Sequence, residues 1–249
     1  MVETAAAPPL SILQDAALFL DFDGTLVELA ESPAAIAVPA GLPALLERLS
    51  RFLSGRLAII SGRAVGDLDG HLRFPGVALA GSHGLEIRQA DGRQAALAPP
   101  AALADAREEI HGFARGAPGL LVEEKPVSIA IHYRQAPERE EGVIAFLSEI
   151  AARTGLGVQR GKMVAELRMT GPDKGDALRA LMAEPAFAGA NPVFVGDDLT
   201  DEDAFAAAAQ MGGTGILVGP PRPSAARWRL DDVAAVARWL GEASGGEND

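Results

Sequence analysis

"LFLDFDGTL", residues 18–26, passes from three apolar residues to two acids flanking a phenylalanine, then to a glycine. A short apolar run closed by polar residues and glycine reads as a buried strand that ends in a tight turn. If the strand persists, Asp21 and Asp23 project to one side while Phe22 points into packing, and Gly24 permits the turn. A pair of carboxylates at the mouth of a buried strand can hold Mg²⁺, which favours hard oxygen ligands. One of them can also attack phosphorus to give an aspartyl-phosphate, and the other can exchange a proton with the departing alcohol and then with water. A solvated Asp-Gly turn that caps the following segment is the competing account of the same residues.

Outward from this stretch, short apolar runs alternate with longer helical patterns: "AALFL", then "GLPALLERLSRFL", "RLAIIS", a polar segment, and "GVALAG". Such alternation predicts right-handed crossovers and a parallel sheet. Each run ends in polar or glycine residues, at Asp21–Gly24, Ser61–Arg63 and Gly81–Gly84, and ligands of open α/β sheets gather at those carboxyl ends. From Leu85 the texture changes. "LEIRQADGRQAAL" reads as a hairpin around Asp91 and Gly92, followed by a helix over 101–115, strands near 120–124 and 127–133, a helix near 137–152 and a hairpin in "LGVQRGKMVAELR". After "TGPDKG" the parallel pattern resumes with helix 174–183, strand "PVFVGDD", helix 200–209, strand "GILVG" and helix 231–240. The expectation is an α/β core from residues 1–84 and 171–249, with an α+β module of residues 85–170 inserted after the third core strand. The ends, "TAAAPP" and "GEASGGEND", are predicted to fray, and no internal repeat or heptad pattern is present.

The chain has 249 residues, 48% of them apolar, which is enough to bury a substantial core. Its apolar runs fall far short of the roughly 18–20 residues that span a bilayer, so no membrane insertion is expected. A formal charge of −12 without a Lys/Arg block repels nucleic acid, so an anionic substrate needs locally concentrated positive charge. Zero cysteines exclude disulfides and thiolate zinc sites. Together with "MVETAAAPPL", which lacks the basic and apolar regions of a secretory signal, this predicts a cytoplasmic protein. The oligomeric state is left open, with a monomer as the working expectation.

A second acidic cluster, "VFVGDDLTDED" at 193–203, follows another buried run and opens a helix. Asp197 is a candidate to complete an Mg²⁺ site, and Asp198 and Asp201 could orient ligands or metal-bound water, while Thr200 to Asp203 could equally form an N-terminal capping cluster, the reading favoured for Glu202 and Asp203. Crowded carboxylates repel one another unless a cation intervenes, which weights two such clusters toward a metal site. Ser61 in "AIISGR" and the N–H groups after it could hold a phosphate oxygen, or simply cap a helix. Lys174 opens a helix after "TGPD", where its ammonium and the helix N-terminus could both address an anion.

The order "DFDGTL", "ISGR", "DKG" and "VGDDLTDED" resembles the haloacid dehalogenase-like phosphatases, and the insertion resembles the α/β cap of their sugar-phosphate branch. Within that branch "GSHG", "EEKPVSIAIHYRQAP", "GKMVAELR" and "GDDLTDE" resemble the trehalose-6-phosphate phosphatases. The resemblance implies a Rossmann-like core and an Mg²⁺-dependent phosphatase acting on a small sugar phosphate. Asp21 would be the nucleophile and a metal ligand. Asp23 would be the acid/base and a metal ligand through its backbone carbonyl, and Asp197 a further ligand. Ser61 and Lys174 would hold the transferring phosphoryl group, with Arg63 beside them on the substrate. In the cap, Glu123, Lys125 and Glu166 would bind sugar hydroxyls, with His132 and Arg134 as secondary candidates, and cap closure would exclude water. From the residues alone, "SIAIHYR" alternates so that Ile129, Ile131 and Tyr133 share one face and Ala130, His132 and Arg134 the other; that favours a hydrogen-bonding role for His132. A Glu123–Lys125 surface ion pair competes with sugar binding, Glu166 needs a partner that a sugar hydroxyl would supply, and His83 reads equally as a hinge or a turn residue. Met163 stands where the family commonly has a basic residue. Neighbouring specificities (sucrose phosphate, mannosyl-phosphoglycerate), a non-catalytic sugar-phosphate sensor and a phosphosugar mutase share the same core logic.

Overall fold

The computed structural model describes residues 6–30, 35–96, 101–125 and 127–245. The outermost residues of both ends expected to fray therefore lie outside the described residues, as does the last residue of the first expected hairpin, Leu97. In chain order the elements are β1 (Ala16–Leu20), α1 (Leu42–Phe52), β2 (Leu57–Ile60), α2 (Val65–Leu72), β3 (Ala78–Gly81), β4 (Glu86–Arg88), β5 (Gln94–Ala96), α3 (Ala101–Arg115), β6 (Leu121–Lys125) and β7 (Ser128–His132). They continue with α4 (Glu140–Thr154), β8 (Gly157–Gly161), β9 (Val164–Arg168), α5 (Lys174–Met182), β10 (Asn191–Gly196), α6 (Glu202–Gln210), β11 (Thr214–Val218), β12 (Trp228–Leu230) and α7 (Val233–Ala243). Two compact units result: Met1–Ala95 with Pro172–Asp249, and Ala96–Gly171.

The first unit is built on a sheet of order β12-β11-β10-β1-β2-β3-β4-β5, parallel from β12 to β3 and antiparallel at β3–β4. Its central strands are continuous apolar runs because both faces are covered. Leu18, Leu20, Leu57, Ile59, Val193 and Val195 face one cluster with Leu46 and Leu49 of α1, Leu68 of α2 and Trp239 of α7. Phe19, Ile60 and Phe194 face the other, with Leu178 and Leu181 of α5 and Phe205 of α6. Phe194 is fully buried and sits edge-on to Phe205 at 5.7 Å, so truncating it to Ala removes about 3–5 kcal/mol. In α1 the buried leucines at 42, 45, 46 and 49 follow helical spacing and direct one stripe to the core.

Three features differ from the sequence reading. The polar segment after β2 is helix α2, whose stripe is carried by Val65, Leu68 and Leu72 alone, too sparse to register as periodicity. Strand β12 is only three residues long and is recruited by pairing with β11. The hairpin expected to open the inserted module extends the first sheet through β4, paired to β3, so the units divide at Ala95/Ala96.

The second unit has a four-stranded antiparallel sheet of order β6-β7-β9-β8. Ile129, Ile131, Tyr133, Ala165 and Leu167 pack against Leu103 and Ile110 of α3 and Val143, Leu147 and Ile150 of α4. The alternate residues of the same strands form the opposite, polar face.

Candidate active site

The carboxyl ends of β1, β2 and β10 lie side by side because their registers are nearly level, with Leu20 opposite both Val195 and Ile59. One more ladder bond continues past β1, as the Asp21 N–H donates to Val195 O at 2.9 Å. The chain then turns about Phe22, whose carbonyl accepts from the Leu26 and Val27 N–H groups at 2.9 and 3.1 Å. Strand β1 ends at Leu20, and beyond it Asp21 takes Lys174 as a partner and Asp23 takes Arg63.

Lys174 is set at the start of α5 by a reciprocal cap, in which the Asp176 N–H donates to Asp173 Oδ1 at 2.8 Å. Its Nζ donates to Asp21 Oδ1 at 2.8 Å and to Asp201 Oδ1 at 2.6 Å, with all three groups buried. The other Asp201 oxygen accepts the Asp198 N–H at 2.8 Å, which fixes the loop after β10. Burial pushes the Asp21 carboxyl well above the usual carboxylate range; the ammonium opposes this, and the Asp201 and Asp197 charges push it further. Burial likewise works against the Lys174 ammonium, but Asp201 and Asp21 together hold its pKa above the ordinary value.

Asp21, Asp197 and Asp201 each offer an oxygen within 4.8 Å of the others. Three acidic side chains crowd around one ammonium, and the donors are all hard oxygens. The residues present fit a divalent cation. Gly24 is part of the same construction: its φ is +80°, and a Cβ there would lie 2.4 Å from Asp197 Oδ2. Gly196 is similarly required, since its Cβ would meet Asp201 Oδ2 at 2.4 Å. Gly24→Ala is expected to cost about 1–3 kcal/mol from backbone strain and displacement of Asp197. Thermal melts should show a lowered Tm and a reduced stabilisation on adding divalent cation; an unchanged cation response would mean that Asp197 tolerates the displacement.

Asp23 is engaged elsewhere. Arg63 donates from Nε to Asp23 Oδ2 at 2.7 Å and from Nη2 to Asp23 Oδ1 at 2.9 Å, while its Nη1 reaches Asp67 Oδ2 at 2.6 Å. Ser61 is buried, and its Oγ accepts the Arg63 N–H at 3.2 Å. The "GSHG" segment closes over this loop, with the His83 N–H donating to Ser61 O at 3.0 Å. A Cβ at Gly62 would lie 2.8 Å from His83 Nε2, so the imidazole packs onto that glycine.

The family described as Trehalose-phosphatase matches residues 19–234, a span that takes in all of these groups. The chain belongs to the trehalose-phosphatase family. The trehalose-6-phosphate phosphatase of Escherichia coli K12 is 38% identical over 229 residues, 90% of this chain and 85% of that protein. The C-terminal domain of the Candida albicans trehalose-6-phosphate phosphatase shares the fold at a TM-score of 0.84 with 23% identity, covering 98% of this chain and 99% of that one. An Aspergillus fumigatus trehalose-6-phosphate phosphatase is 26% identical at a TM-score of 0.64, covering 98% and 100%.

Among the other family positions, the second unit gathers Glu123, Lys125, His132 and Glu166 on its polar face, since Glu123 pairs with Ala130 and Ala130 with Glu166 across the ladder. Lys125 Nζ donates to Glu166 Oε2 at 2.9 Å, so the partner that Glu166 needs is a lysine. His132 Nε2 lies 2.8 Å from Glu123 Oε2, so Glu123 pairs with the imidazole. Burial raises the Glu123 pKa, but the His132 hydrogen bond and the Lys125 and His132 charges outweigh it and hold the group below its ordinary value. Arg134 stands apart, exposed in the turn beyond β7. In the first unit, Glu202 turns out to pin the segment after β11, accepting from Arg222, from Ser224 Oγ at 3.1 Å and from the Ala225 N–H at 2.7 Å. Asp67 went unread in the sequence. Its only signal is the i,i+4 spacing from Arg63 at the start of an unrecognised helix.

Proposed function

We propose that this chain is an Mg²⁺-dependent phosphatase that hydrolyses trehalose 6-phosphate to trehalose and phosphate. The observation that carries the reading is the buried Asp21–Lys174–Asp201 constellation beside Asp197, within a chain of the trehalose-phosphatase family. Asp21 attacks phosphorus; the bond from phosphorus to the sugar oxygen breaks, and the Asp23 proton passes to that oxygen. Asp23, now a carboxylate, takes a proton from water as the water oxygen attacks phosphorus. Cleavage of the Asp21–phosphorus bond then returns Asp21 to a carboxylate and releases phosphate. Lys174 stabilises the charge gathered on the phosphoryl oxygens, and Ser61 with the N–H groups after it holds one of those oxygens. Asp21 and Asp197 would hold Mg²⁺ with the Asp23 backbone carbonyl, supported by Asp198 and Asp201. The cation would supply positive charge beside the acidic cluster and offset the negative charge of the phosphate.

Glu123, Lys125 and Glu166 supply the hydrogen bonds to the sugar, with His132 orienting Glu123. The experiment is phosphate release across trehalose 6-phosphate, sucrose phosphate, mannosyl-phosphoglycerate and glucose 6-phosphate, with Mg²⁺ and with chelator. The expected result is Mg²⁺-dependent release with trehalose 6-phosphate at least about 10-fold preferred in kcat/KM. Equal turnover of glucose 6-phosphate refutes disaccharide selectivity, and release undiminished by chelator refutes the metal. Glu166→Gln should weaken trehalose 6-phosphate through KM by roughly 10-fold, one charged hydrogen bond, while leaving hydrolysis of p-nitrophenyl phosphate unchanged.

A further inference from the structure

Arg63 was expected on the substrate, yet its guanidinium is committed to two carboxylates of its own chain. Both Asp23 oxygens lie on one edge of the fork, and Asp67 takes the remaining nitrogen, Nη1. The Arg63 side chain is only 9% exposed, while those of Asp23 and Asp67 are 31% and 43% exposed. Its Cζ stands 5.6 Å from the centroid of the Phe22 ring, the residue between the two acids. The backbone is equally confined. Arg63 O accepts the Ser82 N–H at 2.7 Å, and a Cβ on Gly81 would lie 2.7 Å from that oxygen.

A carboxylate has about four lone-pair positions, and a bidentate fork takes one on each oxygen in the plane of the group. The plane is thereby fixed, and the outward lone pair of each oxygen is left to carry a proton. A lysine, with one point-like ammonium, cannot set that plane. We propose that Arg63, braced by Asp67, is the positioning residue for Asp23 and aims its carboxyl group at the departing and entering oxygens. This rests on the reading of Asp23 as the acid/base.

The test compares first-turnover rates of the full chain on trehalose 6-phosphate and on p-nitrophenyl phosphate. The sugar oxygen needs a proton as it leaves, whereas p-nitrophenolate leaves without one. Arg63→Gln is expected to slow the first turnover of trehalose 6-phosphate by on the order of 100-fold, the scale of general acid catalysis, with KM changed by less than about 3-fold. The p-nitrophenolate burst should slow by less than about 3-fold, and Arg63→Lys should recover only part of the loss. Asp67→Asn, at a more exposed position, should give the same pattern at roughly one-tenth the amplitude and keeps the test available if Arg63→Gln does not fold. A raised KM at an unchanged first-turnover rate would make Arg63 a substrate contact. Equal losses on both substrates, or full recovery by lysine, would likewise overturn the proposal. Asp23→Asn run in parallel separates the two readings. If it spares trehalose 6-phosphate, the acid/base assignment fails; if it shows the leaving-group pattern and Arg63→Gln does not, only the positioning role fails.

Discussion

Asp21→Asn is expected to reduce phosphate release from trehalose 6-phosphate by on the order of 10⁴-fold or more, because the carboxylate proposed to form the phosphoryl bond is gone and an amide does not replace it. The fold should survive. Asn matches the shape of Asp, the ladder bond from the residue 21 N–H to Val195 O involves only backbone, and Lys174 keeps Asp201 as its partner. Burial and the Asp197 and Asp201 charges make an ionised Asp21 unfavourable in the absence of a cation. A carboxyl whose pKa is raised by folding lowers stability above that pKa, so in chelator at neutral pH the variant should melt no lower than the parent. Phosphate release by a correctly folded Asp21→Asn protein at more than about a hundredth of the parent rate would remove Asp21 from the nucleophile's role.

Lys174→Met should injure both stability and catalysis. The ammonium is the shared partner of Asp21 and Asp201, at 2.8 and 2.6 Å and with side-chain exposures of 3%, 4% and 0%. Removing it leaves buried carboxylates facing one another, a change of about 3–5 kcal/mol for one broken buried pair. Chemical denaturation in chelator should show that loss. Adding Asp201→Asn to Lys174→Met should recover part of it, since the double variant removes one of the stranded charges. Activity should fall by on the order of 10²–10³-fold even when divalent cation restores the fold, as charge on the transferring phosphoryl group goes unanswered. A double variant no more stable than Lys174→Met alone would mean that Asp201 is not destabilised by losing its lysine.

Much of the core was legible because its signals are local. Continuous apolar runs at 16–20, 57–60 and 192–196, each followed by polar residues, read as central strands of a covered sheet with their functional ends aligned. The amphipathic helices α1, α3 and α4 were equally plain. Helix α2 was not, because Gly66 and Gly70 break up a stripe that only its contact with the sheet sustains. The β4–β5 hairpin looked like the start of the insertion because a hairpin pattern does not encode which sheet edge it joins.

At the site, strand-end position marked Asp21 and Asp197 as candidates and the helix start after "TGPD" marked Lys174, whereas Ser61 by itself read better as a helix cap and owed its nomination to the family resemblance. For Asp23 spacing was not enough, because period-two alternation holds only while the strand lasts, the backbone leaves strand geometry after Leu20, and the Arg63 partner comes from the fold. Glu166 was recognised as needing a polar partner, but that Lys125 supplies it follows only from the β6-β7-β9 ladder.

The amino-acid order settled the sheet, the carboxyl edge and the kinds of groups delivered there, since burial periodicity and turn chemistry act over a few residues. Folding in three dimensions decided the pairings. Lys174 meets Asp21 across 153 positions and Asp201 across 27, and Arg63 takes Asp23 across 40. Charge energies depend on distance and burial, which neighbours in sequence do not specify, so only the folded chain determines which acid meets which base.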